Sequence, residues 1–174
     1  MSVNNHKPHL IVLAEDDANR QMAHAFLLEI RGRMPEPRQI EVLRKRTKKP
    51  AKDGWLKTIE EKFVKDQIPV MYQYPRQMTL LLIDFDEQPR RLEYVKKQIP
   101  EDLNSRVFIL GVWSEPEQLK KNLGQSFEKI GESLAQACIN DSNELWQHDL
   151  LKHNLNEVSR MKPLINPLLF NDND

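Results

Sequence analysis

Two clusters of acidic residues follow apolar stretches of this sequence, and both could bind a divalent cation. In HLIVLAEDD the apolar run is followed by Glu15, Asp16 and Asp17, and in TLLLIDFDEQ it is followed by Asp84 and Asp86. Neighbouring carboxylates repel one another, so such a cluster is costly unless a positive group neutralises it. Carboxylate oxygens suit Mg²⁺ or Mn²⁺, and Mg²⁺ usually takes one or two carboxylates together with waters and substrate phosphates. Two strands that both end in acids therefore predict one shared site.

The spacing of these acids indicates what each could do. Side chains alternate between the two faces of a strand, so Asp84 and Asp86 are expected on the same side, where they could hold one cation. If the two strands are neighbours, Glu15 could donate or accept a proton, or hold a second metal. Glu115 follows a later apolar run, would lie at the same edge and is a further candidate metal ligand. The alternative is that all of these acids are solvated residues at the ends of strands, where acids are common.

The pattern of apolar residues predicts the elements that position the acids. Short apolar runs indicate strands at 10–14, 40–43, 79–83 and 106–112. Helical spacing indicates helices at 18–30, 55–65, 91–98, 116–139 with a break at Gly124, and 141–161, where Pro163 and Pro167 should end the last one. This alternation predicts a three-layer α/β fold with a mostly parallel central sheet of about four strands and helices on both faces. In such sheets ligands bind at the carboxyl ends of the strands, where the acids lie.

Length and composition favour one ordinary domain. The 174 residues predict a single domain at 1–170, with a core at 9–112, a helical C-terminal extension at 116–162 and a disordered tail at 171–174. The single cysteine excludes an internal disulfide, and no apolar stretch approaches the roughly 20 residues of a membrane helix. We therefore expect a cytoplasmic protein without a membrane partner. A glycine-rich phosphate loop is missing from the sequence, so the chain should not bind ATP by itself.

A basic stretch, RKRTKKPAK, follows the second predicted strand and contains six bases and no acid. It should form a loop at the same edge of the sheet as the acids. Its bases could contact the phosphates of DNA or RNA, with an affinity that falls as salt rises. A solvated loop without a ligand is an equally good interpretation. The candidate nucleic-acid-binding residues are Arg44, Lys45, Arg46, Lys48 and Lys49.

The arrangement of the acids resembles the toprim fold, which is shared by topoisomerases, bacterial primases and the overcoming-lysogenisation-defect nucleases. In that fold a strand ends in Glu, and a later strand ends in Asp-x-Asp, as here at Glu15 and at Asp84 and Asp86. The resemblance covers residues 9–112. It implies that Glu15 acts as general acid or base, and that Asp84 and Asp86 bind Mg²⁺ while phosphodiester bonds are made or broken.

The resemblance implies a Mg²⁺- or Mn²⁺-dependent nuclease acting on DNA or RNA. It further implies the nuclease subunit of a larger assembly with an ATPase partner, as in phage-defence systems. Two positions depart from the family pattern: Asp16 replaces the usual Gly after the Glu, and Asn19 stands where a further acid often follows. Asp16 is then an additional metal ligand, or the site is altered or inactive.

A second resemblance leads to a different function. The segment IVLAEDDANRQM is similar to the start of a response-regulator receiver domain, in which an acidic pair binds Mg²⁺ beside a phosphorylated Asp. In that case Asp84 would accept the phosphoryl group, and Ser114 would be the hydroxyl residue after the next strand. The long interval between Asp17 and Asp84, and the lack of a fifth strand ending in Lys, disfavour it. The alternative to a nuclease is therefore a receiver-like signalling module or a catalytically silent interaction module.

Overall fold

Four short apolar segments pair as parallel strands in one sheet. The computed structural model describes residues 4–31, 40–43, 54–142 and 144–170. The strand order is β2-β1-β3-β4, with β1 at His9–Ala14, β2 at Ile40–Leu43, β3 at Gln77–Leu82 and β4 at Val107–Leu110. Strands β1 and β3 lie side by side along their whole length, so that Ala14 is opposite Leu82. The predicted neighbouring position of these two strands at the centre of the sheet is confirmed.

Helices cover both faces of this sheet. The helices are α1 (Asp17–Arg31), α2 (Gly54–Lys57), α3 (Ile68–Gln73), α4 (Pro89–Gln98), α5 (Pro116–Leu123), α6 (Phe127–Ile139) and α7 (Leu155–Phe170). A π-helical segment, Thr58–Gln67, joins α2 to α3, and short 3₁₀ turns span Glu101–Arg106, Leu145–Gln147 and Lys152–Asn154. The predicted three-layer α/β fold with a parallel four-stranded sheet and C-terminal helices is confirmed.

Alternation along the strands divides the apolar residues into two cores. Leu10 and Val12 of β1 pack with residues of α1, α5, α6 and α7 on one face of the sheet. Ile11 and Leu13 pack on the other face with the helical segments between β2 and β3 and with α4. Both faces are covered, which explains why the strands read as continuous apolar runs and not as alternating ones.

The helix that contains Trp55 continues further than its sequence predicts. The expected end near Lys65 is wrong, because the helical path runs on to Gln73. Proline disrupts a regular α-helix, since it lacks an N–H and its ring collides with the carbonyl four residues earlier. Here the wider π-helical turn precedes Pro69, and the N–H of Ile68 bonds to the carbonyl of Phe63, five residues back. Pro69 then occupies the first turn of α3, where its missing N–H is not required.

The predicted break between the C-terminal helices is correct, and the predicted bounds of the last helix are not. Gly124 ends α5 with a φ of 62°, and α6 starts at Phe127, so the predicted break is confirmed. The last helix starts later than expected, because the region after Asp141 forms two 3₁₀ turns. It also runs past Pro163 to Phe170, beyond the predicted limit of 162. Leu168 packs against the core, and this apolar contact stabilises the helical continuation.

Two predicted segments, the basic loop with Arg44 to Lys49 and the tail at 171–174, lie outside the described residues. Within the described part of the chain, every helix is too short or too polar to cross a lipid bilayer.

Candidate functional site

The carboxyl ends of β1 and β3 bring Glu15 and Asp84 together. The backbone N–H of Glu15 donates to the carbonyl of Leu82 at 2.9 Å, which extends the pairing of the two strands by one residue. The side chain of Glu15 then reaches across, and its Oε2 accepts a hydrogen bond from the backbone N–H of Asp84 at 2.8 Å. The predicted meeting of these two acids at one edge of the sheet is therefore observed.

Asp16 closes the N-terminus of α1. Its Oδ1 accepts a hydrogen bond from the backbone N–H of Asn19 at 2.8 Å. Helices start with unpaired N–H groups, and Asp at this position is preferred because its carboxylate accepts from one of them. This capping hydrogen bond holds the Asp16 side chain at the start of α1, next to Glu15 in the sequence. Asp17 points outward and pairs with Arg20 and Gln21, which lowers the pKa of Asp17.

Asn19 connects the two acids that follow different strands. It is only 2% exposed, and its Nδ2 donates to Oδ1 of Asp16 at 3.0 Å and to Oδ1 of Asp84 at 2.8 Å. One amide group thus holds both carboxyl groups. An acid at this position, as the toprim pattern often has, would add another negative charge to a buried cluster. Asn19 was not predicted as a site residue, although its place in the first turn of α1 was a usable signal.

Asp84 is a buried acid with a strongly raised pKa. Its side chain is 8% exposed, and burial raises the pKa to about 8. The hydrogen bond from Asn19 opposes this effect, whereas the charges of Glu15 and Asp16 and a hydrogen bond with the Asp16 side chain add to it. Below about pH 8 the Asp84 side chain is therefore a neutral carboxylic acid in these surroundings. Raised carboxyl pKa values of this kind are typical of functional sites.

Asp86 has a different set of partners. Strand β3 ends at Leu82, and the chain turns at Asp86 with a positive φ of 49°. Its half-exposed carboxylate accepts hydrogen bonds from Arg91 at 3.1 Å and from Gln88 at 3.2 Å. The strand alternation on which the same-side prediction depends does not extend to this residue. The structure brings Asp84 together with Glu15, Asp16 and Asn19, and it brings Asp86 together with Arg91.

Arg91 holds the turn that carries the acids. Its Nη1 donates to the backbone carbonyl of Asp84 at 2.9 Å and its Nη2 donates to Asp86. The guanidinium also lies 5.1 Å from the ring centroid of Trp55. Its Nε is buried without a hydrogen-bond partner among the described residues. Sequence reasoning did not select Arg91, whose position in the first turn of α4 directly after the acidic turn was the available signal.

Two candidate residues follow β4. The Ser114 carbonyl accepts a hydrogen bond from the N–H of Asp86 at 3.2 Å, and its hydroxyl is buried without a partner in the described part of the chain. Glu115 occupies the N-cap position of α5 with an exposed side chain, which makes no cap hydrogen bond. Glu115 therefore follows β4, the strand next to β3, near the same edge of the sheet.

The C-terminal segment packs behind the turn. Asn154 hydrogen-bonds to both backbone groups of Gly111, at 3.1 and 2.9 Å, and the His153 ring bonds to the same carbonyl at 2.8 Å. The His153 ring also meets the Phe85 ring edge-on, with 5.0 Å between centroids. Gly111 has no room for a side chain, since a Cβ there would lie 1.7 Å from the carbonyl oxygen of Ile83. The residues on both sides of Asp84 are thus fixed by close packing.

The donor set suits a cation that is bound by few protein ligands. Among the described residues, no group of three or more His, Cys, Asp or Glu side chains is arranged to hold a metal ion. Asp16 and Asp84 are nevertheless joined by one amide, and both supply oxygen atoms. Mg²⁺ commonly uses one or two carboxylates and completes its shell with water and phosphate. These two residues therefore fit Mg²⁺, whereas Asp86 would first have to leave Arg91.

The position of the acids in the fold is the one expected for a ligand site. The chain passes from β1 to β2 on one side and then crosses to β3 on the other side of β1. In open α/β sheets ligands bind outside the carboxyl ends of the strands, at the point where the strand order reverses. Glu15, Asp16 and Asp84 stand at this point.

In comparisons with known proteins, no family model, no curated protein and no solved structure matches the chain.

Proposed function

We propose that this chain binds Mg²⁺ or Mn²⁺ at Asp84 and Asp16 and hydrolyses phosphodiester bonds of DNA or RNA. One observation carries the proposal: a buried acid of raised pKa, Asp84, is bridged by Asn19 to Asp16 and accompanied by Glu15 at the strand-order reversal. The toprim resemblance of the same residues supports phosphodiester chemistry in particular.

Electrostatics favours a cation at this place. The charges of Glu15 and Asp16 lie close to Asp84, and their repulsion helps to raise the pKa of Asp84. A nearby positive charge favours the ionised form of a carboxyl group and lowers its pKa. Binding of a divalent cation should therefore release a proton from Asp84. The affinity for the cation should increase as the pH rises toward 8.

The side chains would divide the work as follows. Asp84 and Asp16 would hold the cation, and Asn19 would orient both carboxyl groups through its single amide. A divalent cation at such a site polarises a phosphate and activates water. Glu15, which is anchored through Oε2 on the backbone N–H of Asp84, would accept or donate the proton. Arg91 stands behind this edge and would offer its charge to a phosphate if Asp86 released it.

The partners belong to the same proposal. Phosphates of DNA or RNA would be bound by the basic residues of 44–49, and an ATPase subunit would supply the nucleotide-driven step of a larger assembly of the phage-defence type. The absence of a glycine-rich phosphate loop from the sequence supports a separate ATPase. A cytoplasmic location agrees with the single cysteine of the chain.

The test is cleavage of labelled single- and double-stranded DNA and RNA by the purified protein with Mg²⁺, Mn²⁺ or EDTA. We expect metal-dependent cleavage that is lost in Asp84→Asn and in Glu15→Gln, two substitutions that preserve shape and remove an ionisable carboxyl group. The matched control is Asp17→Asn, which removes a neighbouring acid that starts α1 and faces outward, and it should retain activity. Cleavage that persists in the Asp84→Asn, Glu15→Gln double variant would refute the assignment.

A second candidate function, a receiver-like phosphoacceptor, is favoured by one observation. The hydroxyl of Ser114, at the end of the strand next to β3, is buried without a partner among the described residues. Against it, the described part of the chain contains no fifth strand after β4. Incubation with acetyl phosphate and Mg²⁺, followed by intact mass measurement, distinguishes the two. A phosphoryl adduct lost in Asp84→Asn would replace the nuclease proposal, and a chain without either activity would be a silent interaction module.

A further inference from the structure

The outer edge of β4 is closed by side chains and not by a strand. Strand β4 is the last in the sheet order, and among the described residues only β3 pairs with it. The carbonyl of Leu110 accepts a hydrogen bond from Ile83, on the β3 side. Because backbone groups alternate between the two sides of a strand, those of Val107, Ile109 and Gly111 point to the outer edge. Unpaired groups at such an edge can bond to a strand of another chain.

Three polar side chains at the C-terminus bond to these outward groups in turn. Asn154, which directly precedes α7, bonds to both backbone groups of Gly111. In α7, Oε2 of Glu157 accepts a hydrogen bond from the N–H of Ile109 at 2.9 Å. Nη2 of Arg160 donates to the carbonyl of the first residue of β4 at 2.6 Å. We call Asn154, Glu157 and Arg160 the edge ladder.

The spacing and the lengths of the edge ladder fit the strand. Its members are three residues apart along a helical path, which advances about 4.5 Å per step, whereas alternate residues of a strand advance about 6.6 Å. The distance to be bridged therefore grows by about 2 Å at each step. The side chains lengthen in the same order, from Asn to Glu to Arg, so that each reaches its backbone group.

The two longer members are fixed to each other and to the core. Arg160 donates from Nε and Nη2 to the two carboxylate oxygens of Glu157, at 2.8 and 2.9 Å. Its guanidinium lies 4.6 Å from the ring centroid of Phe108. On the same helix, Val158 and Met161 pack into the core that contains α1 and α6. The helix thus lies against this face of the sheet, and its polar side chains extend to the edge.

We infer that the edge ladder substitutes for a fifth strand and prevents β4 from pairing with the β4 strand of a second copy of this chain. The sequence of β4, VFIL, is apolar and rich in strand-forming residues, and it contains no charge, Gly or Pro that would oppose pairing. In a symmetric dimer both copies use the same surface, so the two β4 strands would run antiparallel about a twofold axis. This inference does not depend on the acids or on the nuclease proposal.

The test removes the two longer members of the edge ladder together. In the double variant Glu157→Ala, Arg160→Ala, analytical ultracentrifugation from micromolar to submillimolar concentration should show a dimer that grows with concentration, and the wild type should remain monomeric. Amide hydrogen exchange shows which surface is used. At low concentration the Ile109 amide of the variant should exchange about tenfold faster than in the wild type, the value of one hydrogen bond. At high concentration the dimer should protect it again, while the Leu110 amide, which faces β3, serves as the internal reference.

Two controls separate the edge ladder from a general loss of charge. Glu157→Gln keeps an acceptor oxygen for the Ile109 N–H, so it should remain monomeric with slow exchange of that amide. The double variant Lys129→Ala, Glu132→Ala removes an exposed i,i+3 ion pair from α6 and should behave like the wild type. Glu157→Ala alone leaves Arg160 in place and protects the test against loss of folding, because it should show the same faster exchange of Ile109.

Three results would overturn the inference. The first is a folded double variant that stays monomeric at every concentration. The second is association that leaves the Ile109 amide in fast exchange, since the copies would then meet through another surface. The third is a wild type that forms the same dimer, because the edge ladder would then not prevent pairing.

Discussion

Replacing Asp84 with asparagine should stabilise the protein by an amount that grows as the pH rises from about 4 to about 8. The pKa of Asp84 rises from an ordinary value of 3.8 to about 8. The unfolded chain thus releases this proton near pH 4, whereas the folded chain keeps it to about pH 8. Over that window the unfolded state binds fewer protons, so the free energy of unfolding falls as pH rises. Asparagine has no proton to release, and its side chain retains the hydrogen bond to Asn19.

The size of the effect follows from the pKa. One proton corresponds to a slope of about 1.4 kcal/mol per pH unit, and the pKa difference sets an upper limit of about 6 kcal/mol above pH 8. Urea unfolding of wild type and Asp84→Asn at each pH from 5 to 9 measures this slope. We expect the variant to gain on the wild type up to about pH 8, and the difference to remain constant beyond it.

The control is Asp17→Asn, which changes a neighbouring acid at the start of α1. Asp17 has a lowered pKa and is largely exposed, so its difference from wild type should not grow between pH 5 and 8. Saturating Mg²⁺ at pH 8 should raise the stability of the wild type and of Asp17→Asn, but not of Asp84→Asn, by linkage to binding. A pH-independent difference between wild type and Asp84→Asn would refute the burial argument itself.

Three further predictions concern neighbouring parts of the molecule. Gly111→Ala should lower the free energy of unfolding by more than about 3 kcal/mol in urea titrations, because its Cβ would collide with backbone, whereas Gly124→Ala, in open space, should cost only about 1 kcal/mol. By the same assay, Arg91→Ala should lower the free energy of unfolding by about 1–3 kcal/mol, because it removes the part-buried hydrogen bond to the Asp84 carbonyl. Asp86→Asn should lower it by less than about 1 kcal/mol, because it removes only a solvated ion pair. If the basic loop binds phosphates, replacing four of its bases with alanine should weaken nucleic-acid affinity and flatten the salt dependence of that affinity, as measured by fluorescence anisotropy. Unchanged affinity would mean that the loop is only a solvated connection. Those four bases are Lys45, Arg46, Lys48 and Lys49.

The sequence by itself determined the order of strands and helices and the meeting of Glu15 with Asp84. Continuous apolar runs mark strands that are covered on both faces, and a glycine inside a helical pattern marks the break at Gly124, where the structure has a positive φ. These are local signals, and they survive in any tertiary context. The carboxyl ends of neighbouring parallel strands necessarily lie at one edge of the sheet, so the acids that follow β1 and β3 had to come together once those strands were neighbours.

Only the tertiary structure decided which groups touch at that edge. Asn19 reaches Asp84 across 65 positions of sequence, and the raised pKa of Asp84 depends on how completely that contact is buried. The positive φ of Asp86 separates the side chains of the Asp-x-Asp pair. This turn is held by hydrogen bonds from the N–H groups of Asp86 and Glu87 to carbonyls of the segment after β4. Prolines inside two helical segments are likewise tolerated through packing and a π-helical turn. Each of these features depends on long-range contacts, and a local pattern of residues does not encode them.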